Sequence, residues 1–334
     1  LDAPALAHLL ARADRMRPQS ASPEHETPDT HDGFARALPH ERWLAQQHEV
    51  QDALPLAVAS MRALGLAQDG IPTDSYWLML NPVHIHIARD HLVLTDQRQL
   101  DVTEAESMAL FAAAAPYFDE AGHTLLYGGA HLWFMRADAW RTLQTASPDA
   151  ACGHNIDIWM PQGDGARDWR KLQNEVQMLW HAHPVNLHRA DRGLPPVNSL
   201  WLWGGADSAH AAPHDTYRNV FNCNTPLTAL CGPASSQLRA ANAAELLQNA
   251  NAPCLLVLDD LIAAALAEDW SAWLQQWQML DCTWLMPLHQ ALGKAQLPQL
   301  RLIMSDGARC RTFHSTRWGA AKFWIKPSFK RLLP

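Results

Sequence analysis

Apolar residues recur at helical spacing toward both ends of the chain and alternate with polar ones through its middle. Residues 3–16 set Ala5, Leu6, Leu9, Leu10 and Ala13 on one face, which predicts a helix. A second helical region spans 41–64, broken at Pro55, with Gly65 as its stop. The period then shortens to two. Residues 76–80 and 83–87 read as strands, and "ARDH" turns the chain into "LVLTD". Thr103 with Glu106 three positions on is the signature of a capped helix start, predicting a helix over 103–115. "HTLLYGGAHLWFM" reads as a hairpin turning at Gly128-Gly129. A helix over 168–181 and a strand over 199–203 follow.

The last third repeats the alternation. "AAELLQNA" is helical, "PCLLVLDDL" is a buried strand, and "DWSAWLQQWQMLDCTWLMPLHQAL" is a long helix. "QLRLIMSDG" and "RCRTFHSTRW" make a terminal strand pair. This order predicts a single large α/β domain over 1–334, with 76–135 as an α+β insertion. Residues 17–40, rich in Pro, Ser, Thr and acids, are expected to form a flexible surface loop.

Composition narrows the classes. In 334 residues no apolar run approaches the roughly 20 needed to cross a bilayer, so no membrane partner is expected. The N-terminal pattern is amphipathic rather than that of a signal peptide, and a Leu at position 1 suggests that the natural start is missing. Six cysteines without a CxxC pair read as reduced thiols of a cytoplasmic protein. The net charge of -8 disfavours general nucleic-acid affinity. Residues 301–334 nevertheless carry eight Lys/Arg against one acid, Asp306, mixed with aromatics. That basic C-terminal segment leaves a nucleic-acid or protein-partner module as an alternative.

Several stretches could carry chemistry. In "NPVHIHIARD", His84 and His86 share one strand face; two imidazoles there suit a divalent metal, or simply a half-exposed polar face. In "RDWRKLQNEVQMLWHAHPVN", Asn174, Gln177 and His181 form a polar row beside the apolar stripe of Trp169, Leu172, Val176 and Leu179. Pro184 is expected to end that helix and leave His183 and Asn186 in a loop. In "PPVNSLWLWGGADSAH", Trp201 and Trp203 point one way, and Gly204-Gly205 lets backbone approach a ligand, or merely turns the chain. Arg189 and Asn198 are near enough in sequence to add donors. A cleft framed by His84, His86, Asn174, Gln177, His181, Arg189, Asn198, Trp201, Trp203, Gly204 and Gly205 would suit a small anionic metabolite. Asp259, Asp260, Asp306 and His314 are further metal-type residues, without a diagnostic spacing. No P-loop, GxGxxG, GxSxG or HExxH is present, and no residue is assigned as catalytic.

On "NEVQMLWHAHPVN", "RGLPPVNSLWLWGG" and "NPVHIHIARDHLVLTD", the chain resembles the RpfE-type regulatory proteins of proteobacteria, a phosphoglycerate-mutase-like family. The likeness runs from about Leu6 to the end and is most specific over 174–205. It implies a three-layer mixed sheet with helices on both faces: the alkaline-phosphatase-like core of cofactor-independent phosphoglycerate mutases, with a first strand preceding Leu1. It also implies the chemistry of that superfamily: two divalent metals (Mn²⁺ or Zn²⁺) held by Asp and His, and a Ser or Thr nucleophile. The ligands on the first strand would then lie outside this chain. The expected function is binding of a phosphorylated metabolite with catalysis reduced or absent, against the alternative of an active mutase or phosphatase.

Overall fold

The first helix, α1 (Pro4–Arg12), carries Ala5, Leu6, Leu9 and Leu10 on its buried face, as the apolar spacing requires. The computed structural model describes residues 2–13, 36–47, 54–66, 75–88, 90–207, 216–223, 226–231, 235–249, 253–322 and 324–332. These fall into two compact units, where the sequence pattern had suggested one domain. One unit gathers residues 1–33, 217–223 and 234–334; the other holds 34–216 and 224–233. Most of the loop expected at 17–40 lies outside the described residues, and from Pro39 the chain is helical.

The middle unit begins with α2 (Pro39–Gln47) and α3 (Ala57–Ala63) and is built on one antiparallel sheet. β1 (Trp77–Val83) is central to it. The hairpin β2 (Ile85–Ala88) and β3 (His91–Leu94) leads to α4 (Glu104–Glu120), which returns the chain to β4 (Leu125–Gly129) and β5 (Leu132–Arg136). After the short α5 (Pro148–Ala151), α6 (Ala166–His181) and α7 (Pro184–Asp191) precede β6 (Ser199–Ala206). The strand order is β4-β5-β1-β6, with Leu80 opposite both Trp133 and Leu202. Residues 76–135, read as an insertion, thus supply three of the sheet's four strands.

Alternation along the strands decides what covers each face. Leu78, Leu80, Leu200 and Leu202 join Leu110 and Phe118 of α4 and Trp169, Leu172, Val176 and Trp180 of α6 in one core. On the opposite face α3 packs down: the Ser60 hydroxyl meets the Met79 sulfur at 3.5 Å, and the Leu56 amide donates to the Gly204 carbonyl at 3.1 Å. Helices therefore lie on both faces of this sheet.

Two local expectations are corrected. α4 runs through Pro116 to Glu120 because Phe118 is fully buried in the core, which outweighs the backbone bond a proline removes. α6 ends at His181, ahead of Pro184 as expected, but no loop follows: Pro184 occupies the first turn of α7, where its missing N–H costs nothing, with His183 as cap. Asn186 is accordingly helical and buried. Its amide donates to the carbonyls of Trp180 and Val197 and accepts from the Val197 N–H, all at 2.8 Å.

The terminal unit has a parallel sheet in the order β8-β7-β9, made of β7 (Asn219–Phe221), β8 (Ser236–Leu238) and β9 (Cys254–Leu256). Helix α8 (Ala243–Asn249) lies between the latter two strands in sequence, and α9 (Asp260–Leu266) and α10 (Trp270–Leu280) follow. A π-helical turn over Asp281–Leu285 joins α10 to α11 (Met286–Gly293). The expected terminal strand pair forms as β10 (Gln299–Ser305) and β11 (Cys310–Thr316), followed by the short α12 (Arg317–Ala320). Phe221, Leu246, Leu280, Trp284 and Leu288 make one core; Leu6, Leu9 and Leu10 of α1 pack with Leu285 and Phe313 in another. The buried Asp281 carboxylate accepts from the amides of Ala5 (3.0 Å) and Leu6 (2.7 Å), setting a negative charge at the start of α1. Cys152, Cys254, Cys282 and Cys310 are free thiols, and no described helix is long and apolar enough to cross a membrane.

Candidate functional site

The residues of the expected cleft separate into three places. At the corner where β1 passes into β2, the Nδ1 of His84 meets the Pro196 carbonyl at 2.8 Å and the Nδ1 of His86 meets the Thr95 hydroxyl at 3.2 Å. The two rings are stacked, 5.8 Å apart and 11° from parallel. The Asn198 amide bridges the N–H and C=O of Ile85, at 2.8 Å each, as a backbone partner would. Arg189 is fully buried behind this corner. It donates to the carbonyls of Pro195 (2.9 Å), Leu100 (2.5 Å) and Asp101 (3.4 Å) and to Glu106 Oε2 (2.9 Å). Its donors hold the main chain, leaving no open fork for an anion.

Trp201 and Trp203 are buried on the α3 side of the sheet. Their indole N–H groups donate to the Ala146 carbonyl (2.9 Å) and to Asn81 Oδ1 (2.5 Å). The Gly-Gly pair after them is a bulge: Trp77 pairs with Ala206 and Met79 with Trp203, so two glycines oppose Leu78 alone. Gly204 takes φ of 68°. A Cβ there would strike the Met79 methyl, and one on Gly205 would strike the Tyr76 hydroxyl. The close approach permitted here is by the protein's own side chains.

Asn174 and His181 are exposed and Gln177 half-buried, on the face of α6 turned away from the sheet. Between that row and the two indoles lies the core of Leu200, Leu202, Val176 and Trp180. The single hollow expected to be framed by all these residues is therefore not formed. In the terminal unit, Asp306 accepts from the amides of Ala308 and Arg309 in the β10–β11 turn, and His314 Nε2 meets Gln299 Oε1 at 3.0 Å. Asp259 and Asp260 sit at the start of α9. Among the described residues no group of three or more His, Cys, Asp or Glu is placed to hold a metal ion. A two-metal Asp/His centre does not fit them.

A cleft of about 630 Å³ opens instead between the end of α4, β5 and α6. His123, Arg136, Asp138, Trp140, Asp168, Lys171 and Glu175 bring its chemistry. His123 Nδ1 lies 3.1 Å from the Arg136 carbonyl; a carbonyl only accepts, so Nδ1 carries the proton and Nε2 keeps its lone pair. The ring rests on Trp140 at 4.5 Å. Burial holds its pKa below the ordinary imidazole value, against the Arg136 carbonyl and the charge of Asp168, which both raise it. The imidazole is thus a fixed neutral base with a carboxylate nearby. Trp140 is seated by Gly165, whose φ is 92° and whose missing Cβ leaves room for the indole.

Two cations line the same cleft, each in an accessible ion pair. Lys171 and Glu175 are 3.8 Å apart at adjacent turns of α6, and Arg136 holds Asp138 at 2.7 Å. Asp138 also accepts from the Tyr76 amide at 2.7 Å, which fixes it to the sheet. Sequence reading missed these residues by one step around the helix. Asp168, Lys171 and Glu175 sit at i, i+3 and i+7 on α6, adjacent to the row at 174, 177 and 181.

The molecule is a mixed α/β protein related in sequence to cofactor-independent phosphoglycerate mutases. Over 129 residues it is 27% identical to a probable 2,3-bisphosphoglycerate-independent phosphoglycerate mutase of Geobacter sulfurreducens, a match covering 37% of this chain and 32% of that protein. Over 57 residues it is 35% identical to the 2,3-bisphosphoglycerate-independent phosphoglycerate mutase of Methanosarcina mazei, covering 17% of this chain and 14% of the relative. The matched stretch thus spans a third or less of these relatives. Among solved structures, the cofactor-independent phosphoglycerate mutase of Thermoplasma acidophilum aligns over 84% of this chain and 81% of its own, at 16% identity and a TM-score of 0.35. No family model matches the sequence.

Proposed function

We propose that this chain is a mutase-related binding protein that takes a phosphorylated hydroxy acid of the phosphoglycerate class into the cleft at His123, with phosphoryl transfer reduced or absent. The reading rests on one observation: a neutral histidine with its Nδ1 anchored stands beside two cations in ion pairs that cost little to break. Exposed pairs of this kind contribute at most about 1 kcal/mol, so an incoming phosphate or carboxylate can displace Glu175 from Lys171. The substrate hydroxyl then donates to His123 Nε2, and Trp140 provides an apolar floor. Support comes from the partial sequence relationship to enzymes named for phosphoglycerate. A regulatory role of RpfE type, in the cytoplasm, is the cellular setting consistent with binding in place of turnover.

Titration calorimetry with 3-phosphoglycerate, alongside glycerate lacking the phosphate, tests the reading. The expected result is saturable binding of the phosphorylated acid alone. Lys171→Ala and His123→Asn should each weaken it by about tenfold or more, which corresponds to roughly 1.4 kcal/mol. Equal binding of the two acids, or none of either, would discard the proposal. Mutation of Asn174 or His181 should leave binding unchanged. Turnover of phosphoglycerate in the presence of Mn²⁺ would restore the rival reading of an active mutase.

A further inference from the structure

The geometry points to a second site: His84 and His86 bind one divalent transition-metal ion of the Zn²⁺ and Cu²⁺ type through their two Nε2 atoms, apart from the His123 cleft. The two imidazoles lie two residues apart where β1 gives way to β2, and their rings face each other at 5.8 Å, 11° from parallel. Both Nδ1 atoms already have oxygen partners, the Pro196 carbonyl at 2.8 Å and the Thr95 hydroxyl at 3.2 Å. A carbonyl cannot donate, so His84 holds its proton on Nδ1 and keeps a lone pair on Nε2. Thr95 can accept from His86 in the same way. Metal-bound histidines characteristically donate their second ring N–H to a carbonyl, carboxylate or water, which fixes the tautomer and raises the basicity of the ligating nitrogen. Here that outer layer is in place on His84, and the Thr95 hydroxyl can supply it to His86.

The corner that carries the pair is braced. The Thr95 amide donates to the His84 carbonyl at 2.9 Å, and Asn198 clamps both main-chain groups of Ile85 at 2.8 Å. His84 is half-buried and held, and His86 is exposed. Zinc–nitrogen bonds of roughly 2.0–2.1 Å require the two Nε2 atoms to come within about 4 Å, a closure the exposed ring can make, with water filling the remaining positions. Two neutral imidazoles without a carboxylate favour Zn²⁺ and Cu²⁺ over Mg²⁺, Ca²⁺ or Mn²⁺. The cation behind the corner, Arg189, is paired with Glu106 at 2.9 Å. This donor set differs from the two-metal Asp/His centre considered above and does not depend on it.

The experiment adds Zn²⁺ or Cu²⁺ to the full metal-free chain. Calorimetry should show one Zn²⁺ equivalent that is lost in His86→Gln and in the double variant His84→Ala/His86→Gln, while Mg²⁺ gives no heat. His86→Gln alters an exposed side chain, so an unchanged circular dichroism spectrum certifies its fold. The Cu²⁺ form should show paramagnetic resonance hyperfine splitting from two nitrogens, falling to one in His86→Gln. Thr95→Ala removes the outer partner of His86 and should weaken Zn²⁺ binding by about tenfold, the lower end for such partners. Equal Zn²⁺ stoichiometry in wild type and double variant, or no uptake by wild type, overturns the assignment. Neither outcome bears on phosphoglycerate binding, which is read separately at His123.

Discussion

Glu41 shows what one buried group does to the whole molecule's response to pH. Its Oε2 accepts from the Leu38 amide at 2.6 Å and the Ser147 hydroxyl at 2.7 Å, and only 2% of the residue is exposed. Burial, added to by the charge of Asp149, pushes its pKa from the ordinary 4.5 up to about 7. A carboxyl whose folded pKa exceeds its unfolded one binds its proton more tightly when folded, so stability falls as pH rises through that window. The cost reaches about 3 kcal/mol above pH 7. Glu41→Gln keeps an acceptor for both hydrogen bonds and removes the charge. Urea unfolding midpoints at pH 5 and pH 8 should differ clearly in wild type and much less in the variant. A second residue-scale test concerns Arg189, whose loss leaves three carbonyls without its N–H groups and takes one partner from Glu106, which keeps Thr103 and Arg192. Arg189→Ala should cost about 3 kcal/mol or more through the buried acceptors left unpaired, read in the same unfolding assay.

Among the elements, β6 carries the sharpest lesson. The bulge exists because Tyr76, just ahead of β1, and Met79 within it need the space that two side chains would fill. Gly205→Ala should destabilise by about 1–3 kcal/mol through overpacking. Because the tyrosine hydroxyl is the nearest obstacle, Tyr76→Phe on the same background should recover part of that loss. Thermal unfolding of the two variants decides it. Strand and helix periods were legible here: β1, β6, α6 and the β10–β11 pair lie where alternation and 3.6-residue spacing put them. What a strand's face looks out on was not. Alternation places Trp201 and Trp203 together but is silent on whether α3 or a ligand covers them. Arg189 read as a free donor, yet its acceptors at Leu100, Asp101 and Glu106 come from more than 80 residues away, beyond any local pattern. On α6 the polar residues were visible, and the choice between adjacent faces rested on where β5 and Trp140 pack, which only the tertiary structure supplies.

At the scale of the whole molecule, the mixed α/β class followed from the order of elements, and the division into two units did not. The middle unit is nearly continuous in sequence, whereas the other is assembled from the two ends of the chain. The proposed phosphoglycerate binding in the His123 cleft would draw on residues of the middle unit alone, and it should survive substitutions confined to residues 234–334. Calorimetry on a variant such as His314→Ala would check this.

The bonds from Asp281 to Ala5 and Leu6 join residues about 275 positions apart. On the ribosome, therefore, the N-terminal helix emerges long before its anchor, while the middle unit can already collapse around its sheet. Until synthesis passes Asp281, the leucine-rich face of that helix has no native cover. Throughout that interval the uncovered face of α1 is open to chaperones and to misassembly, and the arrival of Leu285 and Phe313 encloses it.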